Sequence, residues 1–93
     1  MSIKDQIALV TGAAGGIGLA ISRALASEGV RVAVHYNTQV DQAKELADEL
    51  GTSIFQADLA DSGEAESLVE RVVGAMGGLD ILINNAGITI GGQ

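Results

Sequence analysis

Thr11-Gly12-Ala13-Ala14-Gly15-Gly16-Ile17-Gly18 follows the apolar run Ile7-Ala8-Leu9-Val10 and leads into a helical pattern, so that strand, glycine turn and helix come in that order. Three of its glycines have separate physical roles. Gly12 allows a tight strand-to-helix turn, Gly16 lets backbone approach phosphate oxygens, and Gly18 lets the helix pack close to the first strand. Backbone amides then point at a ligand, and the helix N-terminus favours an anion by ~0.3–1 kcal/mol per charge. The segment has the form of a cradle for the pyrophosphate of a dinucleotide. Because glycines also end strands and helices for purely structural reasons, the cluster needs support from the rest of the chain.

Outward from this turn, four short apolar runs alternate with three amphipathic segments, the arrangement of parallel strands joined by crossover helices. Strands are expected from Ile7 to Val10, Val30 to Val34, Ser53 to Phe55 and Ile81 to Ile83. In the first helix Ile17, Ala20, Ile21, Ala24 and Leu25 fall at helical spacing, and Gly29 follows as a left-handed cap. The second helix puts Val40, Ala43, Ala47 and Leu50 on one face. It starts with Thr38 three residues before Asp41, as in a capping box, and ends at Gly51. The third carries the stripe Ala65, Leu68, Val69, Val72, Val73 and Met76, with Asp61 and Glu64 in its N-terminal turn and Gly77-Gly78 at its end. Right-handed crossovers order the sheet 3-2-1-4, with two helices on one face and the third on the other. The fold class expected is therefore α/β: a partial Rossmann-type, doubly wound parallel sheet of four strands with three crossover helices. No proline, internal repeat or linker divides the chain, and residues 1–93 read as one truncated dinucleotide-binding domain.

Ninety-three residues bury ~60–65% of their unfolded surface, which gives a small core. With one Phe, one Tyr and no Trp, packing falls to Val, Ile, Leu and Ala between close layers, as a helix-covered parallel sheet requires. Twelve acidic against five basic side chains, a formal charge of -7, repel phosphate backbones and argue against nucleic acid as a partner. An anionic cofactor must be held by local geometry. The absence of cysteine removes disulfides and thiolate chemistry and suits a cytoplasmic location. No apolar stretch approaches the ~20 residues that span a bilayer, so no membrane association is expected. The acidic run Asp41, Glu45, Asp48, Glu49 and the later Glu64, Glu66, Glu70 read as solvated helix faces rather than a metal site.

In a sheet of this order the loops after the first and fourth strands flank one crevice at the carboxyl ends of the strands. Those loops are Gly12 to Gly18 and Asn84-Asn85-Ala86-Gly87. Two glycine-bearing loops at one address indicate one ligand. Asn84 and Asn85 can form the turn, tie the fourth strand to neighbouring loops or bond a ligand, Asn85 being the better ligand candidate. His35, the single histidine, stands near a strand end, where such a residue is more often partly solvated without a special role than in contact with an adenosine phosphate. Tyr36 can stack near adenine or pack on the next helix.

Thr11-Gly12-x-x-x-Gly16-x-Gly18, with Asp58-Leu59 after the third strand and Asn84-Asn85-Ala86-Gly87 after the fourth, resembles the short-chain dehydrogenase/reductase family. The resemblance covers nearly the whole chain but only the N-terminal, cofactor-binding part of that family's fold. It implies that Gly12, Ala14, Gly16, Ile17 and Gly18 surround the pyrophosphate, that Asp58 and Leu59 meet the adenine, and that Asn85, Ala86 and Gly87 line the ribose nearer the nicotinamide. The string Gly87-Ile88-Thr89 is similar to the 3-oxoacyl carrier-protein reductase branch. The family moves hydride between NAD(P)H and a carbonyl or alcohol.

The same resemblance places a catalytic Ser and a Tyr-x-x-x-Lys pair beyond the fourth strand. Tyr36 has Val40 four residues on, and Lys4 and Lys44 fall outside the expected crevice. General acid-base catalysis is worth ~10²–10⁴-fold, so the 93 residues alone are expected to be inactive. Cofactor choice rests on the end of the second strand, where a carboxylate would hold the ribose hydroxyls of NAD and repel the extra phosphate of NADP. Here stand His35, Tyr36, Asn37 and Thr38, with no carboxylate before Asp41. Gly15 occupies a position where NADP-preferring relatives often carry a basic residue, and Arg31 lies too early to replace it. NADP is favoured over NAD. An alternative from another class is a non-catalytic interaction module: Ile81-Leu82-Ile83 has the composition of a strand buried on both faces, so a homo-oligomer through the fourth-strand edge is expected.

Overall fold

Every residue of the first strand is apolar, and all four are buried, because that strand lies inside the sheet with helices over both faces. The computed structural model describes residues 2–85. Its elements are β1 (Ile7–Val10), α1 (Gly16–Ser27), β2 (Arg31–Tyr36), α2 (Val40–Leu50), β3 (Ile54–Gln56), α3 (Ser62–Met76) and β4 (Ile81–Ile83). The strands form one sheet in the order β3-β2-β1-β4, every pair parallel. This is the doubly wound α/β order expected from the sequence.

Alternation along β1 divides the core into two layers. Ile7 and Leu9 join Ala33, Phe55, Leu68, Val72 and Met76 under α3. Ala8 and Val10 join Val32, Val34, Ala43 and Leu46 under α1 and α2. Leu9 and Leu68 are among the largest fully buried side chains, each worth about 1.5–3 kcal/mol relative to an exposed position.

Strands β1 and β4 fall where the apolar runs place them. β2 does not: it begins at Arg31 and runs through His35 to Tyr36, two residues beyond the expected end, because His35 and Tyr36 pair with Phe55 and Gln56 of β3. β3 is displaced by one residue through the same pairing. Polar side chains at a strand end conceal such an extension, since the ladder is made by backbone.

The helices keep their places, but two of their faces differ from expectation. In α1 the buried residues are Gly18 and Ser22, with Leu19, Ile21, Leu25 and Ala26 packed beside them on the core. Ile17 is 51% exposed, and Ala20 and Ala24 also face outward. Small residues form the line of contact because the helix runs close to the loop after β1; the Ser22 hydroxyl donates to the Ala13 carbonyl at 3.3 Å. In α3 the row Leu68, Val72, Met76 is buried, whereas Val69 and Val73 of the same stripe are 38% and 43% exposed. They lie beside the buried row, and Val69 lines one depression with Leu9 of β1 and Leu82 of β4.

Caps follow the same division. Asp61 caps α3, its carboxylate accepting from the Gly63 and Glu64 amides at 2.8 and 3.3 Å, and Gly77 ends the helix at φ 94°. Gly51 closes α2 at φ 68°. Thr38, however, is not the cap of α2. Gln39 holds that place without a side-chain bond, and Thr38 contributes its backbone carbonyl to the Val40 amide. Among the described residues no helix is long and apolar enough to cross a membrane.

Candidate functional site

The turn after β1 is held by three successive amides. Thr11 N–H donates to the Ile83 carbonyl of β4 at 3.0 Å, and Ala13 N–H to the His35 carbonyl of β2 at 3.1 Å. Between them Gly12 N–H donates to His35 Nδ1 at 3.0 Å. Gly12, at φ 60°, makes the sharp bend in the left-handed region that glycine enters without strain. The loop after β4 closes on the same point: the Asn85 side-chain amide donates to the Gly12 carbonyl at 3.3 Å, and the Thr11 hydroxyl lies 3.4 Å from Asn84 Oδ1. Thus the two glycine-bearing loops that are far apart in sequence meet at the carboxyl ends of β1 and β4, where the sheet changes direction of winding.

Gly18 sits against this junction. A Cβ there would collide with the Gly12 carbonyl and come within 2.7 Å of Asn85 Nδ2, so only glycine permits the approach of α1. Gly16 differs: its φ is 47°, and a Cβ would meet nothing within 4 Å. Its space opens outward from the loop.

The first helical bond of α1 runs from Leu19 N–H to the Gly15 carbonyl at 3.3 Å, which leaves the amides of Gly16, Ile17 and Gly18 without a partner among the described residues. No side chain caps this end and no acidic residue occupies its first turn. An uncapped helix start at a glycine turn is suited to an anion. By contrast, Gly12, expected beside the pyrophosphate, spends its amide on His35 of β2, as does its neighbour Ala13.

A groove beside the loop is lined by Gly12, Ala14, Gly15, Tyr36, Asn37 and Thr38, with His35 and Gln39. Among the described residues no carboxylate lines it. Asn37 accepts from Gln56 Nε2 through its carbonyl at 3.1 Å, which fixes the backbone at the end of β2. Asp58 and Leu59 leave β3 at the same end of the sheet, but neither side chain lines that groove. The Asp58 carboxylate accepts from the Ala60 amide at 3.0 Å, and Leu59 packs on the core under α3. Ala86 and Gly87 lie outside the described residues.

His35 corrects the sequence-based expectation of a partly solvated side chain without a role. It is 2% exposed; its Nδ1 accepts from Gly12 N–H, and its Nε2 lies 2.9 Å from the Ala57 carbonyl. With Nδ1 accepting, the ring proton belongs on Nε2, donating to Ala57. Burial first, and then the charge of Arg71, push the imidazole below its ordinary pKa, partly opposed by the bond to Ala57. The signal in the sequence was the alternation of β2: extended to Tyr36, the strand sets His35 on the inward face of Ala33.

A doubly wound parallel sheet with a glycine turn and an open helix start at its switch point belongs to the dinucleotide-binding α/β class. The sequence pattern of the family described as short chain dehydrogenase matches residues 6–93, and the chain belongs to that family. It is 47% identical over 89 residues to nodulation protein G of Rhizobium meliloti (strain 1021), covering 94% of this chain and 36% of that protein. It is 45% identical over 87 residues to the 3-oxoacyl-[acyl-carrier-protein] reductase FabG of Staphylococcus aureus (strain N315), covering 88% and 35%.

Among solved structures, a dehydrogenase/reductase from Sinorhizobium meliloti 1021 superposes with a TM-score of 0.87 at 38% identity, over 94% of this chain and 36% of that one. A dehydrogenase of Burkholderia cenocepacia with bound NADP gives 0.83 at 34% identity, over 89% and 34%. The chain spans about a third of the length of the curated relatives it matches.

Proposed function

We propose that this chain is the NAD(P)-binding part of an oxidoreductase that moves hydride between the cofactor and a carbonyl or alcohol, with NADP favoured over NAD. The observation that carries this is the trio of unpartnered amides at Gly16, Ile17 and Gly18 beside the Gly12 turn. Gly12, Ala14, Gly16, Ile17 and Gly18 surround the pyrophosphate: the free amides of Gly16, Ile17 and Gly18 and the field of α1 hold it, while Gly12 makes the turn and Ala14 lines the groove beside it. Asn37 and Thr38 take the adenosine ribose, Asp58 and Leu59 the adenine, and Asn85, Ala86 and Gly87 the ribose near the nicotinamide. The bound cofactor supplies the hydride chemistry; these residues bind and orient it.

Preference for NADP is supported by the groove beyond β2, where no carboxylate stands to repel a phosphate, and by the NADP held in the Burkholderia dehydrogenase. In this reading the 93 residues are one binding domain without turnover of its own, since Tyr36 is followed four residues on by Val40 rather than by the lysine of a Tyr-x-x-x-Lys pair. Its workplace is the cytoplasm, as the cysteine-free composition suggests. Titrating the purified chain with NADPH and with NADH by calorimetry tests the assignment. Binding of either, tighter for NADPH, is expected; no heat at millimolar concentration of both would sink it.

A second reading has its own observation. Leu82 of β4 is 56% exposed and lies beside the exposed Val69, an apolar surface that suits association with a second copy. Self-association and cofactor binding are compatible, and each is measured separately.

A further inference from the structure

We propose that His35 is a positioning residue of the cofactor cradle: as a neutral imidazole carrying its proton on Nε2, it clamps the Gly12 amide to the end of β3, and protonation of Nδ1 releases that clamp. The geometry is a bridge. Gly12 N–H donates to Nδ1 at 3.0 Å, while Nε2–H faces the Ala57 carbonyl at 2.9 Å. One side chain of β2 thereby joins the turn proposed to hold the pyrophosphate to the residue just before Asp58. The ring is almost wholly buried, so no water replaces a lost partner cheaply.

A proton added at Nδ1 occupies the lone pair that accepts from Gly12. Two N–H donors then face each other across that contact, and the turn must move away. Its neighbours do nothing to welcome the charge. The glycine turn Thr11–Gly18, β1 and β4 contain no ionisable side chain. From α3, Arg71 opposes protonation by its own charge, and its guanidinium donates to the Gln56 carbonyl at 2.7 Å. The carboxylates that follow Ala57 are engaged in the β3–α3 connection: Asp58 bonds the Ala60 amide, Glu64 bonds the Asp58 amide at 2.9 Å, and Asp61 caps α3. The turn that receives a negatively charged ligand is thus braced from β2 by a neutral group.

The first test needs no cofactor. His35 is the only histidine, so its ring gives a single set of resonances in long-range ¹H–¹⁵N spectra. The Nε2–H tautomer is expected near neutral pH, with a titration midpoint below the ordinary ~6.5 and the Gly12 amide shift following the same curve. An Nδ1–H tautomer, or a Gly12 amide indifferent to the titration, overturns the proposal.

The second test rests on the cofactor-binding assignment and uses NADPH. Affinity is expected to fall with imidazole protonation, by up to about tenfold per pH unit for one linked proton. The variant His35→Asn, whose side-chain oxygen can still accept from Gly12, is expected to restore binding on the acid side, whereas His35→Phe weakens binding about tenfold at neutral pH by leaving that amide unpaired. An unchanged acid-side profile in His35→Asn overturns the positioning role. If NADPH binds at no pH, it is the cofactor assignment that fails, and the spectra alone decide whether the clamp exists.

Discussion

Gly18 and Gly12 stand so close that the Cβ of any other residue at position 18 would collide with the carbonyl oxygen of Gly12. That oxygen also accepts the Asn85 amide, so the start of α1, the turn after β1 and the loop after β4 share one point. Gly18→Ala must push α1 outward or break the bond to Asn85. Overpacking of this kind costs about 1–3 kcal/mol, and the loss should appear in urea unfolding. An alanine variant as stable as the parent would show that the helix has room to move.

Gly16 lies two residues away and answers a different question. A side chain there meets no protein atom within 4 Å, although φ of 47° imposes strain, at about 1–2 kcal/mol. Gly51, at φ 68° with equally open surroundings, carries the same kind of strain at the end of α2. Gly16→Val should therefore lose NADPH binding, while Gly51→Val loses comparable stability and keeps it. Calorimetric titration of both separates an occupied phosphate position from simple destabilisation.

Sheet order and element sequence were legible because they depend on apolar periodicity and short connections, which residues such as Ile7 to Val10 and Leu68, Val72, Met76 display directly. The meeting of Gly12 with Asn85 was legible too, since the strand order alone brings those loops together. Three things were not. Ile17 looks like a core residue, but the close approach at Gly18 turns Ser22 inward and leaves Ile17 in solvent. Thr38 has the chemistry of a cap and stands one residue too early to serve as one. His35 carries no pattern of its own, because its two partners are a backbone amide and a backbone carbonyl, which no side-chain motif records.

Stability should fall on the acid side because of His35. Its pKa is lowered in the folded chain, chiefly by burial, so the unfolded chain binds the proton first as pH drops. The contribution of the neutral ring is complete above the unfolded value of about 6.5. It is lost progressively as pH falls from there toward the folded value, at no more than about 1.4 kcal/mol per pH unit. Urea midpoints measured across this window should slope downward in the parent and more weakly in His35→Asn. Equal slopes would assign the acid sensitivity to other groups.

Asp61 should matter more than its exposed position suggests. Its carboxylate serves two amides at the start of α3, whose row Leu68, Val72, Met76 covers one face of the sheet. Asp61→Ala removes that cap at about 0.5–2 kcal/mol, while Asp61→Asn or Asp61→Ser should recover most of it. Thermal unfolding of the set checks the order; an alanine variant matching the parent would remove the cap from the account of α3.

The edge of the sheet offers the last test. β4 pairs with β1 through Ile81, Leu82 and Ile83, and among the described residues no strand pairs with its other side. Leu82 is 56% exposed, with Val69 and Val73 at 38% and 43%. Full burial of a residue of this size is worth about 1.5–3 kcal/mol, so covering the three partly exposed side chains contributes on the order of a few kcal/mol. The open backbone of an edge strand adds a template for pairing. The purified chain is therefore expected to associate with itself at micromolar concentration, and Leu82→Lys, which sets a charge in the middle of the edge, should shift it to monomer. Light scattering over a concentration series reads the outcome. A parent chain that is already monomeric there would remove the edge as a contact between copies and leave the cofactor assignment untouched.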